Sequence, residues 1–419
     1  MRAGWSKVEI TPRESVPLAG YGHLRDRMST YVRDALYVRG LAFDDGLTRA
    51  VLVIYDLLMV TDELHAQVLG RLEDTGAAVI VHATHSHSAQ GGFGRGVLIE
   101  KVCGRHRPGT VERLADAGAE AARRALGSLA AARVGSTVGV LPGHNGNRRD
   151  PNGPIDDQLT VVRIRRSRDE ALLVSYSAHP VIVGERDHYA LSADFPGLLV
   201  NLIERRLAFG AFLQGALGGV DVLFPRDKAV TADENLRRMA EPMARRALEL
   251  RDVCDVSADV GLRVARREWP LPARPDARPF YDDQVWARRL DAPLRAVLNG
   301  LFSQVGAARA RVQGLRLGDF AMVGTPADLG VSIALAGKEH ARTRGLANAV
   351  MASQCDGYLG YLHLPDDYAH APTRAADPER LKEARSMGVY ENGMCPFGRD
   401  TGRVVLEHAR RTFDELAAG

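Results

Sequence analysis

Four cysteines, Cys103, Cys254, Cys355 and Cys395, are scattered through 419 residues, and none forms a C-x-x-C pair. That argues against a thiolate zinc site and a disulfide-stapled secreted scaffold, and predicts free thiols in a reducing compartment. Long apolar runs are missing: nothing approaches the roughly eighteen consecutive apolar residues of a membrane-spanning helix. No apolar signal core precedes the opening Met1-Arg2-Ala3-Gly4-Trp5-Ser6-Lys7. Charge of one sign is absent as well, 55 basic against 52 acidic residues for a net +3. The arginines fall in short groups (Arg148-Arg149, Arg163-Ile164-Arg165-Arg166, Arg205-Arg206), which excludes a long nucleic-acid-binding tract. There is no G-x-S-x-G nucleophile elbow, no H-E-x-x-H metalloprotease helix, no fixed-period repeat and no extended low-complexity segment. These absences predict a soluble, cytoplasmic, globular protein, and 45% hydrophobic content is ample for a buried core.

What is present reads as α/β. Runs rich in Val and Ile, at Val51 to Tyr55, Val79 to Val81, Leu159 to Ile164, Leu172 to Tyr176 and Phe320 to Val323, predict strands. Helices are expected at Asp62 to Leu72, Val111 to Ala132, Pro196 to Leu207, Ala232 to Leu250, Gln284 to Leu298 and Leu329 to Thr343, several with apolar residues at three- and four-residue spacing. The prolines of Trp269-Pro270-Leu271-Pro272-Ala273-Arg274-Pro275-Asp276 disfavour helix and central strand, leaving a linker or a surface excursion within one domain.

Chemistry gathers after two of these strands. Ala77 to Val81 runs into His82-Ala83-Thr84-His85-Ser86-His87-Ser88, three of the chain's 13 histidines within six residues. Neutral imidazole is the commonest protein ligand for zinc, and strand ends hold functional side chains rigidly. On an extended backbone His85 and His87 point to the same side, so one can bind a metal while the other faces a substrate. A solvated His-rich loop is the bland alternative. After Leu172 to Tyr176 comes Ser177-Ala178-His179-Pro180, where Pro180 restricts His179 to an extended conformation. Downstream, Asp194 can cap a helix whose first turn admits Pro196, or can hydrogen-bond a ligand histidine from behind.

In this order the motifs resemble the neutral, non-lysosomal ceramidase N-terminal domain and its bacterial relatives, from about Gly4 to Gly402. Val8-Glu9-Ile10-Thr11-Pro12 and Val16-Pro17-Leu18-Ala19-Gly20-Tyr21-Gly22 are similar to that family's opening motif. Thr84-His85-Ser86-His87-Ser88, Asn147-Arg148, Ala178-His179-Pro180 and Ser192-Ala193-Asp194 resemble the elements that follow. The resemblance implies a single large α/β catalytic domain over 1–419, with mixed sheet and surrounding helices. It implies one Zn2+ held by two histidines, a carboxylate and a tyrosine: His85, His179, Asp328 in Pro326-Ala327-Asp328 where the family has Glu, and Tyr361 in Gly360-Tyr361-Leu362, with Tyr358 as alternative. It also implies that His87, Arg148 and Tyr390, in Tyr390-Glu391-Asn392-Gly393, face the substrate. His87 would shuttle a proton or, with Tyr390, donate to an oxyanion; Arg148 would bind a carboxylate or that oxyanion. The bland alternatives are a surface charge for Arg148 and a packing residue for Tyr390.

Departures narrow the expectation. The family's Gly-Asp-Val-Ser/Asn-Pro corresponds to Gly218-Gly219-Val220-Asp221-Val222-Leu223-Phe224-Pro225, so Gly219 replaces an Asp and Asp221 a Ser. The sequence after Val404 to Leu416 is too short for the C-terminal immunoglobulin-like domain of true ceramidases. We therefore expect a cytoplasmic zinc-dependent amidase on a small soluble amide, with a small-molecule substrate as partner, no nucleic acid, no membrane span and no signature of oligomeric state. Acyl transfer or cyclisation at the same site, and a non-catalytic ligand-binding member, are the alternatives.

Overall fold

A strand that is apolar on both faces needs a packing layer on each side. Strand Arg49–Tyr55 is of that kind. Val51, Val53 and Tyr55 pack with helices Asp62–Gly70 and Pro108–Gly127, whereas Ala50, Leu52 and Ile54 face Leu315, Phe320, Met322 and Val350 of a second sheet. The computed structural model describes residues 1–22, 27–225, 227, 229–272, 308–369 and 390–418, and the same logic repeats across it. Leu172, Val174 and Phe212 turn to helices Asp194–Glu204 and Ala232–Val253. Val312, Ala321 and Val323 turn to helices Val331–Thr343 and Thr401–Ala417. The result is four layers, helix, sheet, sheet, helix, an α/β fold with mixed sheets.

The larger sheet has eight strands in the order Phe209–Gln214, Glu170–Tyr176, Gln158–Arg166, Ala130–Val140, Arg2–Glu9, Tyr37–Asp44, Arg49–Tyr55, Ala78–Ala83. Only the pair at each edge is parallel. The smaller sheet runs Leu262–Leu271, Ala308–Leu317, Phe320–Gly324, Asn348–Ala352, its last pair parallel. These three parallel pairs meet at their carboxyl ends, and His82 joins them. Its Nε2 accepts from the Gln214 N–H at 3.0 Å, and its Nδ1 lies 3.0 Å from the Ser353 carbonyl. Carboxyl ends of parallel strands are where α/β sheets place their sites.

Several boundaries differ from the sequence reading. The helix expected to Ala132 stops at Gly127, because Ala130 to Val140 pairs with Gln158–Arg166 and strand pairing overrides alanine's helix preference. The segment Trp269-Pro270-Leu271 is neither linker nor excursion but the end of edge strand Leu262–Leu271, a position that tolerates a missing proline N–H. The helix expected at Gln284 to Leu298 and the stretch Ala273 to Asp276 lie outside the described residues. The four cysteines are free and buried. Among the described residues, no helix is long and apolar enough to cross a membrane.

Candidate metal centre

His85 and His87 follow strand Ala78–Ala83, and His179 follows strand Glu170–Tyr176. Their Nε2 atoms converge: 3.1 Å between His85 and His179, 3.1 Å between His179 and His87, and 3.2 Å between His87 and His85. The backbone at His85 is not extended as expected but left-handed, with φ of 69°. Such a conformation costs a non-glycine residue about 1–3 kcal/mol and persists only where surroundings impose it. Here the Leu57 carbonyl accepts the His85 N–H at 2.8 Å and the Leu58 carbonyl lies 2.7 Å from its Nδ1. That carbonyl assigns the proton to Nδ1 and leaves the Nε2 lone pair aimed at its two neighbours. His87 is held by its N–H to the Pro180 carbonyl at 3.1 Å and by Arg27, whose Nη1 donates to the His87 carbonyl at 2.7 Å. Gly20 supplies the space: at φ of 112° it packs so closely that a Cβ there would stand 2.6 Å from His87 Nδ1.

All three rings are buried, and burial disfavours their charged form. It pushes His85 down to about 3, with Arg148 and His82 lowering it further against the raising effect of the Leu58 carbonyl. His87 and His179 are also driven well below the ordinary histidine value, first by burial and then by Arg148 and the neighbouring imidazoles. Three neutral imidazoles with converging nitrogens form a donor set suited to a divalent cation. Zn–N bonds of about 2.0–2.1 Å in tetrahedral geometry place neighbouring nitrogens about 3.3 Å apart, close to the spacing found. Among the described residues, this is the group of histidine, cysteine or carboxylate donors that lie within 4.8 Å of one another.

The other expected residues surround this group. Asp328 reaches it on one side, Oδ1 standing 3.5 Å from His85 Nε2. Its Oδ1 accepts from Gln354 Nε2 at 2.5 Å and its Oδ2 from the Tyr358 hydroxyl at 2.7 Å. Burial raises the Asp328 carboxyl to about 7 despite Tyr358 and Arg148. The Tyr361 hydroxyl accepts from Arg148 Nη2 at 3.1 Å, so of the two tyrosines considered, Tyr358 touches the carboxylate and Tyr361 the guanidinium. Tyr390 stacks edge-on against Tyr361 at 5.7 Å and is 41% exposed, which puts it at the solvent side. Asp194 is not the helix cap: Ala193 holds that position, and Asp194 instead accepts from the N–H groups of Val183 and Phe195, fixing the segment that follows His179.

Sequence reasoning passed over Glu391. Wholly buried, it lies 2.7 Å from Arg148 Nε, 3.2 Å from Arg149 Nη1 and 2.9 Å from His363 Nε2, and both its oxygens accept from the Gly219 N–H at 3.1 Å. Burial pushes its carboxyl up, but Arg148, His363 and Arg149 more than reverse this and hold it well below the usual range. Gly219 has φ of 75° and turns its N–H into this cluster while its carbonyl accepts from the Arg148 N–H at 2.8 Å. The only signal for Glu391 in the sequence is its position beside Tyr390 in Tyr390-Glu391-Asn392-Gly393.

Fold and site together define an α/β protein with a buried three-histidine group at the carboxyl ends of parallel strands. Residues 2–216 match the sequence model of the family neutral/alkaline non-lysosomal ceramidase, N-terminal, and the chain belongs to that family. It is similar to the neutral ceramidase of Mycobacterium tuberculosis (strain ATCC 25618 / H37Rv), 26% identical over 222 residues, which is 47% of this chain and 34% of that protein. The chain thus spans about a third of the length of this curated relative. The crystal structure of neutral ceramidase from Pseudomonas aeruginosa shares the fold, with a TM-score of 0.77 at 20% identity over 99% of this chain and 74% of that one. A ceramidase complexed with C2 matches equally, with a TM-score of 0.77 at 19% identity over 99% of this chain and 75% of that one.

Proposed function

We propose that this chain, acting as one domain over 1–419, is a zinc-dependent hydrolase that cleaves an amide (N-acyl) bond of a small soluble substrate. The convergence of three neutral imidazole nitrogens beside a fixed guanidinium carries this reading. When bound, zinc supplies Lewis acidity, lowering the pKa of water from about 15.7 to about 7 and polarising a carbonyl. In this reading His85, His179, Asp328 and Tyr361 would hold the zinc; the resemblance supports all four, and the converging nitrogens support His85 and His179 and bring His87 beside them. Arg148, locked by Glu391 and turned to Tyr361, offers a permanent positive charge for a developing oxyanion, and Tyr390 offers a hydroxyl at the solvent side. The buried Arg148, Glu391, Arg149 and His363 make this flank polar, which favours a soluble amide over a lipid, and Asp221 stands where a serine is expected in ceramidases.

The test is metal content by elemental mass spectrometry followed by turnover of a panel of soluble N-acyl amides, with His179→Ala as control. About one zinc per chain, turnover in the wild type and loss of both in the variant are expected. A protein that takes up no zinc would overturn the reading; zinc and tight ligand binding without turnover of any amide would favour a binding protein.

A further inference from the structure

Resting on that reading of the site as a metal centre, we propose that Ser177, Asp156 and Lys338 form a buried clasp behind it and are positioning residues for His179, acting through the Leu217 carbonyl. Lysine is rarely buried unless it is paired. Lys338, on helix Val331–Thr343, is buried, and its Nζ donates to Asp156 Oδ1 at 2.6 Å. The other oxygen of Asp156, itself buried, accepts from the Ser177 hydroxyl at 2.7 Å, and Ser177 Oγ accepts in turn from the Ala216 N–H at 2.9 Å. Asn145 closes the arrangement, its Nδ2 donating to the Asp156 carbonyl at 2.8 Å and to the Ser177 carbonyl at 2.6 Å. Gly215 permits the close approach, because a Cβ there would stand 2.4 Å from Ser177 Oγ.

The clasp holds the partner that a ligand histidine needs. A metal-bound imidazole donates its other ring N–H to a carboxylate or carbonyl, which fixes the ring's orientation. The Leu58 carbonyl stands ready to do so for His85 at 2.7 Å. The buried Nδ1 of His179 has no acceptor at full hydrogen-bond geometry among the described residues, and the Leu217 carbonyl is the backbone group that stands by this ring and raises its basicity. The ring is therefore oriented by where that carbonyl is held. Ser177 governs both sides of the contact: it lies two residues before His179, and its hydroxyl anchors Ala216, the residue before Leu217. The same segment reaches the rest of the site. The N–H groups of Leu217 and Gly218 donate to the Leu329 carbonyl at 3.0 and 2.9 Å, next to Asp328, and the helix that carries Lys338 starts just after this point.

The experiment strips the full chain with a chelator and compares the wild type, Ser177→Ala and Thr231→Ala. Zinc affinity is measured by competition with an indicator, ligand geometry by the visible absorption bands of bound cobalt(II), and folding by circular dichroism. Ser177→Ala leaves the Lys338–Asp156 ion pair standing and cuts its link to Ala216. Thr231→Ala removes the cap of helix Ala232–Val253 and controls for lost stability alone. Zinc affinity should fall by about 10–100-fold in Ser177→Ala and its cobalt bands should shift, with both readouts unchanged in Thr231→Ala. A folded Ser177→Ala that loses less than about tenfold, or that keeps the wild-type cobalt bands, overturns the assignment and leaves the metal centre intact. An equal loss in Thr231→Ala does the same. Absence of zinc binding by the wild type overturns the metal centre itself. Should Ser177→Ala fail to fold, Asp156→Asn takes its place under the same thresholds, since Asn offers one oxygen where the clasp uses two.

Discussion

Glu391 is a buried carboxylate held ionised by the groups around it, and its worth lies in what it keeps in place. Removing one partner of a buried ion pair leaves the others uncompensated in a low dielectric, which typically costs about 3–5 kcal/mol. Glu391→Ala would strand the guanidinia of Arg148 and Arg149 and free the Gly219 N–H, so we expect destabilisation of that order in urea unfolding, with a smaller loss for Glu391→Gln, which keeps an acceptor. This residue also marks how far the site was legible in the sequence. His85, His87 and His179 were readable because strand-like runs lead straight into them. Glu391 was not, since its partners Arg148 and Arg149 lie 243 and 242 residues away and no local pattern encodes such a pairing.

Secondary-structure elements were legible in proportion to their burial. Strands Arg49–Tyr55 and Glu170–Tyr176, apolar on both faces, stood out as continuous runs and are the inner members of the two parallel edge pairs whose ends carry the histidines. Strands Leu262–Leu271 and Ala308–Leu317 went unread because arginines recur through both and interrupt their apolar residues. On the first of these, an edge strand, most such side chains point to solvent, and on the second Arg311 spans to Asp62 instead. Helix Ala232–Val253 was found almost to its ends because it announces itself. Thr231 accepts the Glu234 N–H at 3.2 Å and Glu234 returns a bond to the Thr231 N–H at 2.8 Å, a reciprocal capping box. Loss of such a cap costs about 1 kcal/mol. Thr231→Ala should therefore lower unfolding stability by about that amount and leave zinc affinity at the wild-type value, since the helix packs chiefly on Asp194–Glu204, Ile182–Arg186 and strands Gln158–Arg166 and Ala130–Val140, elements that do not contain the three histidines. A change in zinc affinity would mean that this helix tensions the site.

Across the whole molecule, buried titratable groups away from the histidine triangle fall into two opposed sets. Burial lowers His65 and His82 to about 3, so each stays neutral in the fold while the unfolded chain takes up a proton below about 6.5. Their contribution is complete above that pH and is lost progressively as the pH falls towards their folded values. Burial raises Asp194 and Asp356 to about 7. Each then keeps a proton in the fold that the unfolded chain gives up above about 3.9. Their contribution is complete below that pH and is lost as the pH climbs towards 7. Between about pH 4.5 and 6.5 the two sets have slopes of opposite sign, about 1.4 kcal/mol per pH unit for each group, and the metal-free triangle of His85, His87 and His179 adds to the first set while Asp328 adds to the second. Histidines are in excess, so the metal-free protein should gain stability as the pH rises through that window. It should weaken below it, where Glu391, held down by its arginines, no longer outcompetes the unfolded state in releasing its proton. One residue tests the opposition of the two sets. Asp356 accepts the Val81 N–H through Oδ1 at 2.8 Å, with His65 Nε2 3.4 Å away, and Asn has the shape of the protonated acid that the fold favours. Asp356→Asn removes one falling contribution and leaves the rising ones. Urea unfolding at half-unit steps from about pH 4.5 to 6.5 should then rise more steeply than in the wild type, by about 1.4 kcal/mol per pH unit. A variant with the wild-type slope would show that Asp356 is ionised in the fold, and that its contact with the Val81 N–H and the nearby charge of Arg311 outweigh its burial.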